Sequence, residues 1–370
     1  MKPIIKKQIA RPKSMKVENH PSKHKRSSRQ TAVKSSLASS RSERHWKRWG
    51  VQAGQEDARH HSIANMPYHK KALNTIWNGR DMSSLPSPGS RHYQAAASGY
   101  VKGYCRAAGM YEADWVMMPT TKSVGAIVSV MNEETTIVKV LEQLNRLPLD
   151  EIIIIVNGSN DQTLEQVRAH SHALIVKYPE PLGHDVGRAV GAKLSHADIV
   201  LFLDGDFVVR AENLLPFIYA IDRGSDLALN DITPFLPPFS KWDSVTVMKR
   251  FLNMSLKRPD LNANSLTAVP HALSRNALLR IGCSELMVPP KAQVGALLAG
   301  LTITAPASVN VVSINKKRQH NQGVNNNVSR LIVGDHVEAL QRAMKSKGER
   351  LIFPDIIRKR EFLKGGRSWK

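Results

Sequence analysis

Asp204 and Asp206 stand one glycine apart, directly after a continuous apolar run from Ile199 to Leu203. Such a run reads as a buried parallel strand, which places the two carboxylates at its open end. Two acids one residue apart can share a divalent cation. A hard cation takes oxygen ligands and leaves room for a substrate phosphate, so the spacing points to Mg²⁺ or Mn²⁺ held against a diphosphate. Alone the pattern is weak, because Asp-x-Asp arises about once by chance in a chain of this length and more often marks a solvated turn. Its weight comes from the stretch before it. Over 182–207 the sequence reads LGHDVGRAVGAKLSHADIVLFLDGDF, and Gly187, Ala189 and Gly191 are small enough to let a helix approach a sheet or a phosphate closely.

Elements on either side must position the acid pair. Residues 124–131 (VGAIVSVM) predict a strand, and Asn132 can cap a following helix with Glu133 and Glu134 in its first turn and Ile137, Leu141 and Leu144 facing inward. Residues 151–156 predict a second strand, broken at Asn157-Gly158, with Ser159 or Asn160 available to cap a helix containing Leu164 and Val167. A third strand is expected over 173–177, a helix over 185–196, the fourth strand over 199–203, a helix with Leu214, Leu215 and Ile218, a fifth strand over 226–230 and a further one over 308–314. Alternation of this kind predicts an α/β fold with a Rossmann-like, mostly parallel sheet and helices on both faces. Ligands then bind at the carboxyl ends of the strands, where Asn132, Asn157 and Asp204 all fall.

The chain has 370 residues and a formal net charge of +22, unevenly spread. Met1 to Arg48 holds fifteen Lys or Arg against two Glu with little periodic apolar content, which predicts a disordered basic arm over residues 1–65. The arm offers contact with an anionic membrane surface or polyanion, and without aromatic interleaving it predicts no specific reading of nucleic acid. Residues 66–120 read as a linker and accessory helix, 121–315 as the main domain, and 316–370 as a basic loop and C-terminal helical extension. The basic N-terminus lacks the apolar core of a secretory signal, and the uncharged stretch 294–305 is too short to span a bilayer. Cys105 and Cys283 suggest neither a disulfide framework nor a cysteine metal site. A cytoplasmic location follows, with peripheral membrane contact through the arm as an option.

Four motifs in order make the chain resemble family 2 glycosyltransferases of the GT-A fold, which are nucleotide-sugar dependent. Asn132, Glu133 and Glu134 match the segment after the family's opening strand; VNGSNDQT over 156–163 matches its Asp-Asp-Gly-Ser-x-Asp-x-Thr pattern; Gly183, Arg188 and Gly191 match its glycine-rich stretch; Asp204 and Asp206 match its Asp-x-Asp. The resemblance spans about 124–305. It implies a hexosyl-type transfer from a nucleotide-diphosphate sugar to an acceptor hydroxyl, with inversion. Asp204 and Asp206 would hold Mn²⁺ or Mg²⁺, Arg188 would clamp the phosphates, and Asn132, Glu133, Asn157 and Gly183 would line the nucleotide pocket. A mobile basic loop over 316–327 would fold over the diphosphate, and His336 would complete the metal shell; the plainer reading of His336 is a position in the helix VEALQRAM.

The sequence departs from the family at two places. Asn157 stands where an Asp usually reads the uracil edge, and 287–300 (MVPPKAQVGALLAG) carries no acid where a Glu-Asp pair normally supplies the general base. Candidates for that base are Asp231, Glu285 and Asp243, with an ordinary surface acid as the alternative for each. The missing pair also leaves open a catalytically impaired nucleotide-sugar-binding or scaffold protein. A nucleotidyltransferase is disfavoured, because 129–134 (SVMNEE) has no glycine-rich loop after the first strand.

Overall fold

The computed structural model describes residues 25–66, 68–311, 327–356 and 358, with side chains from residue 42 onward. The strands are β1 Val124–Val130, β2 Glu151–Asn157, β3 Leu174–Tyr178, β4 Ile199–Asp204, β5 Leu227–Asn230, β6 His271–Ser274 and β7 Ile303–Ala307, of which β2 and β4 form on nearly unbroken runs of β-branched, leucine and aromatic residues. They make one seven-stranded mixed sheet in the order β3-β2-β1-β4-β6-β5-β7. β1 to β4 are mutually parallel, and β6 alone runs antiparallel between β4 and β5. β2 and β4 are buried along most of their length, as their apolar runs require.

Helices α4 Ile137–Leu144, α5 Thr163–His170, α6 Val186–Leu194 and α7 Ala211–Asp222 connect these strands. α6 shows why its glycines are there: a Cβ on Gly191 would lie 2.4 Å from Ile127 Cγ2, and one on Gly187 would lie 2.7 Å from Ser129 Oγ. The small residues of α6 therefore serve contact with β1.

The N-terminal half differs from the expected arm. α1 covers Lys25–His60, followed by α2 His69–Asn78 and α3 Arg91–Ala107. Gly50 and Gly54 of α1 face Gly99 and Gly103 of α3, and a Cβ at any of the four would fall 2.0–2.3 Å from a backbone oxygen of the other helix. Two Gly-x-x-x-Gly pairs thus bring the backbones together, and Trp77, Tyr93, Tyr100 and Tyr104 fill the space beside them, fully buried. Asp57 takes Arg80 Nη1 at 2.5 Å and the Tyr100 hydroxyl at 2.8 Å. A sequence that reads as solvated by charge is pinned by glycine spacing and aromatic burial. The basic residues 1–24 lie outside the described residues, as does most of the expected loop 316–327.

The C-terminal half is built on α8 Ser244–Ser255, α9 Arg275–Ile281, α10 Pro289–Leu298 and α11 Asn327–Lys347. Leu252 of α8, Val294 of α10 and Ala339 and Ala343 of α11 form a small second core. The expected strand over 308–314 is displaced: the strand is β7 at 303–307, paired with β5, and residues 308–311 are not in a strand. Among the described residues no helix is long and apolar enough to cross a membrane.

Candidate active site at the carboxyl edge of the sheet

The ends of β1, β2 and β4 surround a cavity of about 370 Å³ whose lining includes Glu133, Asn157, Gly183, Arg188, Asp204 and Asp206. Six residues singled out on sequence therefore meet in one place. Gly205 is required between the acids, because a Cβ there would come within 2.6 Å of Val130 Cγ2.

Arg188 is buried, and its charge is divided. Nη1 reaches Asp185 Oδ1 at 2.6 Å, while Nη2 lies 3.1 Å from both oxygens of Asp204. Burial works against its charge, but Asp185 and Asp204 outweigh that and hold the guanidinium above its ordinary pKa. Asp185 adopts a left-handed backbone, φ 63°, as it leads into α6. The cavity lining counts four acids, Glu133, Asp185, Asp204 and Asp206, against one arginine.

That balance bears on cation binding. A diphosphate entering a cavity with this charge meets repulsion of about 4 kcal/mol per close pair at the effective dielectric of a protein rim. The two Asp-x-Asp carboxylates offer hard oxygen donors to one cavity, which suits Mg²⁺ or Mn²⁺. Among the described residues no three His, Cys, Asp or Glu side chains are grouped to hold a metal, so a cation there would draw further ligands from the substrate.

Asn157 lines the cavity with both of its polar atoms engaged. Oδ1 accepts from Leu182 N at 2.7 Å and Nδ2 donates to Gly183 O at 3.2 Å. An amide is needed for that double contact, since a carboxylate has no donor for the Gly183 carbonyl. Asn132, φ 54°, does not cap α4. Its Oδ1 accepts from Asn160 N at 2.9 Å, its own N donates to Ser159 Oγ at 3.1 Å, and Glu133 N donates to Thr163 Oγ1 at 2.8 Å. The residues of the 156–163 motif thus tie the loop after β1 to the loop after β2.

Asp231 follows β5, and the pairing registers fix its height. Leu201 and Ala228 both pair with Ala272 of β6, so counting three residues along each strand puts Asp204 and Asp231 level on the same edge. Two strand spacings separate them, roughly 10 Å. Asp231 lines a second cavity of about 650 Å³ with Thr233, Arg250, Asp260, Asn262 and Asn264. Partial burial pushes its carboxyl up, but hydrogen bonds from Thr233, Asn264 and Ser308 prevail and hold it below the usual range.

None of the other candidates lines either cavity. Asp243 caps α8, with Oδ1 accepting from Thr246 N at 2.7 Å. Glu285 pairs with Arg342 of α11 and lines neither cavity. His336 is buried in α11 with Nδ1 2.6 Å from Ile332 O, and burial pushes its pKa down to about 4. The stretch without acids, 287–300, is mostly α10, whose Val294 packs against Ala339 and Ala343 of α11. Sequence reasoning passed over Asp185 and Lys249. Asp185 was legible as an i,i+3 partner of Arg188. Lys249, pushed down to about 8 by burial and opposed by Asp243 and Asp185, carries no local signal.

Crystal structures of glucosyl-3-phosphoglycerate synthase from Mycobacterium tuberculosis are similar to this chain. The complex with uridine diphosphate has 19% identity, covers 60% of this chain and 81% of that chain, and gives a TM-score of 0.42. The complex with Mn²⁺, uridine diphosphate and phosphoglyceric acid has 17% identity, coverage of 70% and 84%, and a TM-score of 0.43. The complex with Mn²⁺ and uridine-diphosphate-glucose has 18% identity, coverage of 64% and 81%, and a TM-score of 0.43. No curated protein matches the chain. Residues 126–282 match the model of glycosyl transferase family 2, and that segment carries the acid pair and the residues that line its cavity.

Proposed function

We propose that the protein moves a sugar from a nucleoside-diphosphate donor to an acceptor hydroxyl, in a metal-dependent reaction that inverts the anomeric centre. The observation that supports this most is the level placement of Asp204 and Asp231 on one sheet edge, each in its own cavity. A sugar bridging roughly 10 Å would have its diphosphate at Asp204 and its attacking hydroxyl at Asp231, on opposite sides of the reacting carbon.

Glu133, Asn157 and Gly183 line the wall where nucleoside and ribose would rest. Arg188 would face the phosphates from behind Asp204. A divalent cation at Asp204 and Asp206 would neutralise the departing diphosphate. Asp231 Oδ2, whose hydrogen bond from Ser308 Oγ is long at 3.5 Å, would accept the proton of the acceptor hydroxyl. A carboxylate below its usual range is fully ionised at neutral pH and takes the proton as the new C–O bond forms.

A second reading, donor binding without transfer, is favoured by the acid-free α10. One set of titrations separates the two. Uridine, guanosine and adenosine diphosphates are titrated with Mn²⁺ into wild type, Asp206→Ala and Asp231→Asn, and hydrolysis of the corresponding nucleotide-sugars is followed. Transfer predicts metal-dependent binding that is lost in Asp206→Ala, with Asp231→Asn binding normally and turning over about 10²–10⁴-fold more slowly. Binding without turnover in wild type supports the second reading, preference for triphosphates supports a nucleotidyltransferase, and affinity indifferent to Asp206→Ala removes both donor-site readings.

A further inference from the structure

The cavity that holds Asp231 shares Arg250 with a neighbouring apolar groove of about 500 Å³ lined by Phe239, Val247, Arg250, Phe251 and Met254. Arg250 lines both cavities. Val247, Phe251 and Met254 lie at helical spacing on the outer face of α8 and are 40–44% exposed, and Phe239, in the turn before α8, is 64% exposed. Phe353, 42% exposed, stacks on Phe251 with ring centroids 6.1 Å apart and planes 8° apart. Five large apolar side chains at the surface of a chain with net charge +22 form a patch of the kind that marks a binding face.

Arg250 sits at the junction. Its guanidinium lies 5.6 Å from the Trp242 ring centroid and 6.0 Å from that of Phe239, and it makes no ion pair among the described residues. Asp231 and Asp260 share its cavity, yet Asp231 is engaged by Asn264 and Thr233, and Asp260 by Arg258. Polar pocket, cation and apolar groove therefore follow one another along a single surface.

We infer that the acceptor is an anionic amphiphile: a hydroxylated head at Asp231, a phosphate-like charge at Arg250, and a hydrocarbon tail in the α8 groove. The inference rests on the transferase reading above and names the class of its second substrate. Each part matches one feature. The hydroxyl needs a carboxylate, the anion needs a cation not held in an ion pair, and the tail removes exposed aromatic surface from water. The meeting of the two cavities at Arg250, a cation that makes no ion pair among the described residues, favours such a molecule over an apolar peptide or a second copy of the chain.

The test uses the full chain and three soluble probes. Short-chain phosphatidylglycerol below its micelle concentration carries head, charge and tail; glycerol 3-phosphate lacks the tail; short-chain phosphatidylcholine lacks the hydroxylated anionic head. Calorimetry is expected to show phosphatidylglycerol binding at least about tenfold more tightly than either of the others. Arg250→Gln should weaken it by about tenfold, and Phe251→Ser should bring its affinity down to that of glycerol 3-phosphate while leaving binding of the latter unchanged. Equal affinity for the probes with and without a tail, or lipid binding untouched by both substitutions, overturns the inference. So does binding that appears only after deletion of residues 359–370, which would make the groove a seat for the chain's own C-terminus. Diphosphate and Mn²⁺ binding is measured on the same samples. If it is normal while the lipid results fail, only the acceptor inference falls; if it is absent from wild type, the transferase reading falls whatever the lipid does.

Discussion

Arg188 divides its guanidinium between two acids, with Nη1 on Asp185 and Nη2 between the two oxygens of Asp204 at 3.1 Å from each. One planar, forked cation thus joins the first turn of α6 to the end of β4 and sets the height of the Asp204 carboxylate above the sheet. A lysine has one point of attachment and cannot hold both.

Arg188→Lys should therefore keep the charge and lose the geometry. Removal of one partner from a buried pair costs about 3–5 kcal/mol, so Arg188→Ala should approach that loss and Arg188→Lys should recover only part of it. Urea denaturation gives the stability, and diphosphate titration with Mn²⁺ gives the effect on the site. Equal stability of the lysine variant and wild type would show that the divided contact does not matter.

Asn157→Asp would restore the residue type usual in the family and set a carboxylate against the Gly183 carbonyl oxygen, now 3.2 Å from the amide nitrogen. The expected result is a loss of about 1–3 kcal/mol in stability and weaker nucleotide binding of every base, because the 182–183 loop loses its anchor. A gain in affinity for uridine diphosphate alone would show instead that the side chain reads the base.

Gly191→Ala pushes a methyl towards Ile127 Cγ2 at the α6–β1 contact, where the two would be 2.4 Å apart. Overpacking of this kind typically destabilises by about 1–3 kcal/mol. Thermal melts of Gly191→Ala, Ile127→Ala and the double variant should be non-additive, the double variant being more stable than the sum of the single losses allows. Strict additivity would place the two residues out of contact.

His271 is buried beside Arg188 and stacks on Phe202, with ring centroids 5.1 Å apart. Burial, reinforced by the Arg188 charge, pushes its pKa down to about 3. In the unfolded chain it titrates near 6.5, so unfolding takes up a proton once the pH falls below that value. The folded state therefore loses stability from about pH 6.5 down to about pH 3, amounting to about 2 kcal/mol at pH 5 relative to pH 8. His271→Phe keeps a ring on Phe202 and removes this dependence. Denaturation midpoints at the two pH values measure it, and an unchanged acid sensitivity in the variant would assign the effect to other groups.

What the sequence determined on its own was local. Apolar runs placed five of the seven strands to within a residue, most clearly β1, β2 and β4, since a strand buried on both faces must be apolar throughout, and the Asp-x-Asp pair marked the end of β4 because a charge cannot continue such a run. The glycines of α6 could serve sheet or phosphate; only packing showed that they touch β1. β6 was missed because His271–Ser274 is four residues long and takes its pairing from β4 and β5. The basic start of α1 hid the glycine spacing of its second half. Tertiary structure alone decided where the candidate acids stand: register through β6 sets Asp231 level with Asp204, while Glu285 pairs with Arg342 and Asp243 caps α8. Level, neighbour and competing partner are properties of pairs distant in the chain, and no local pattern of residue types encodes them.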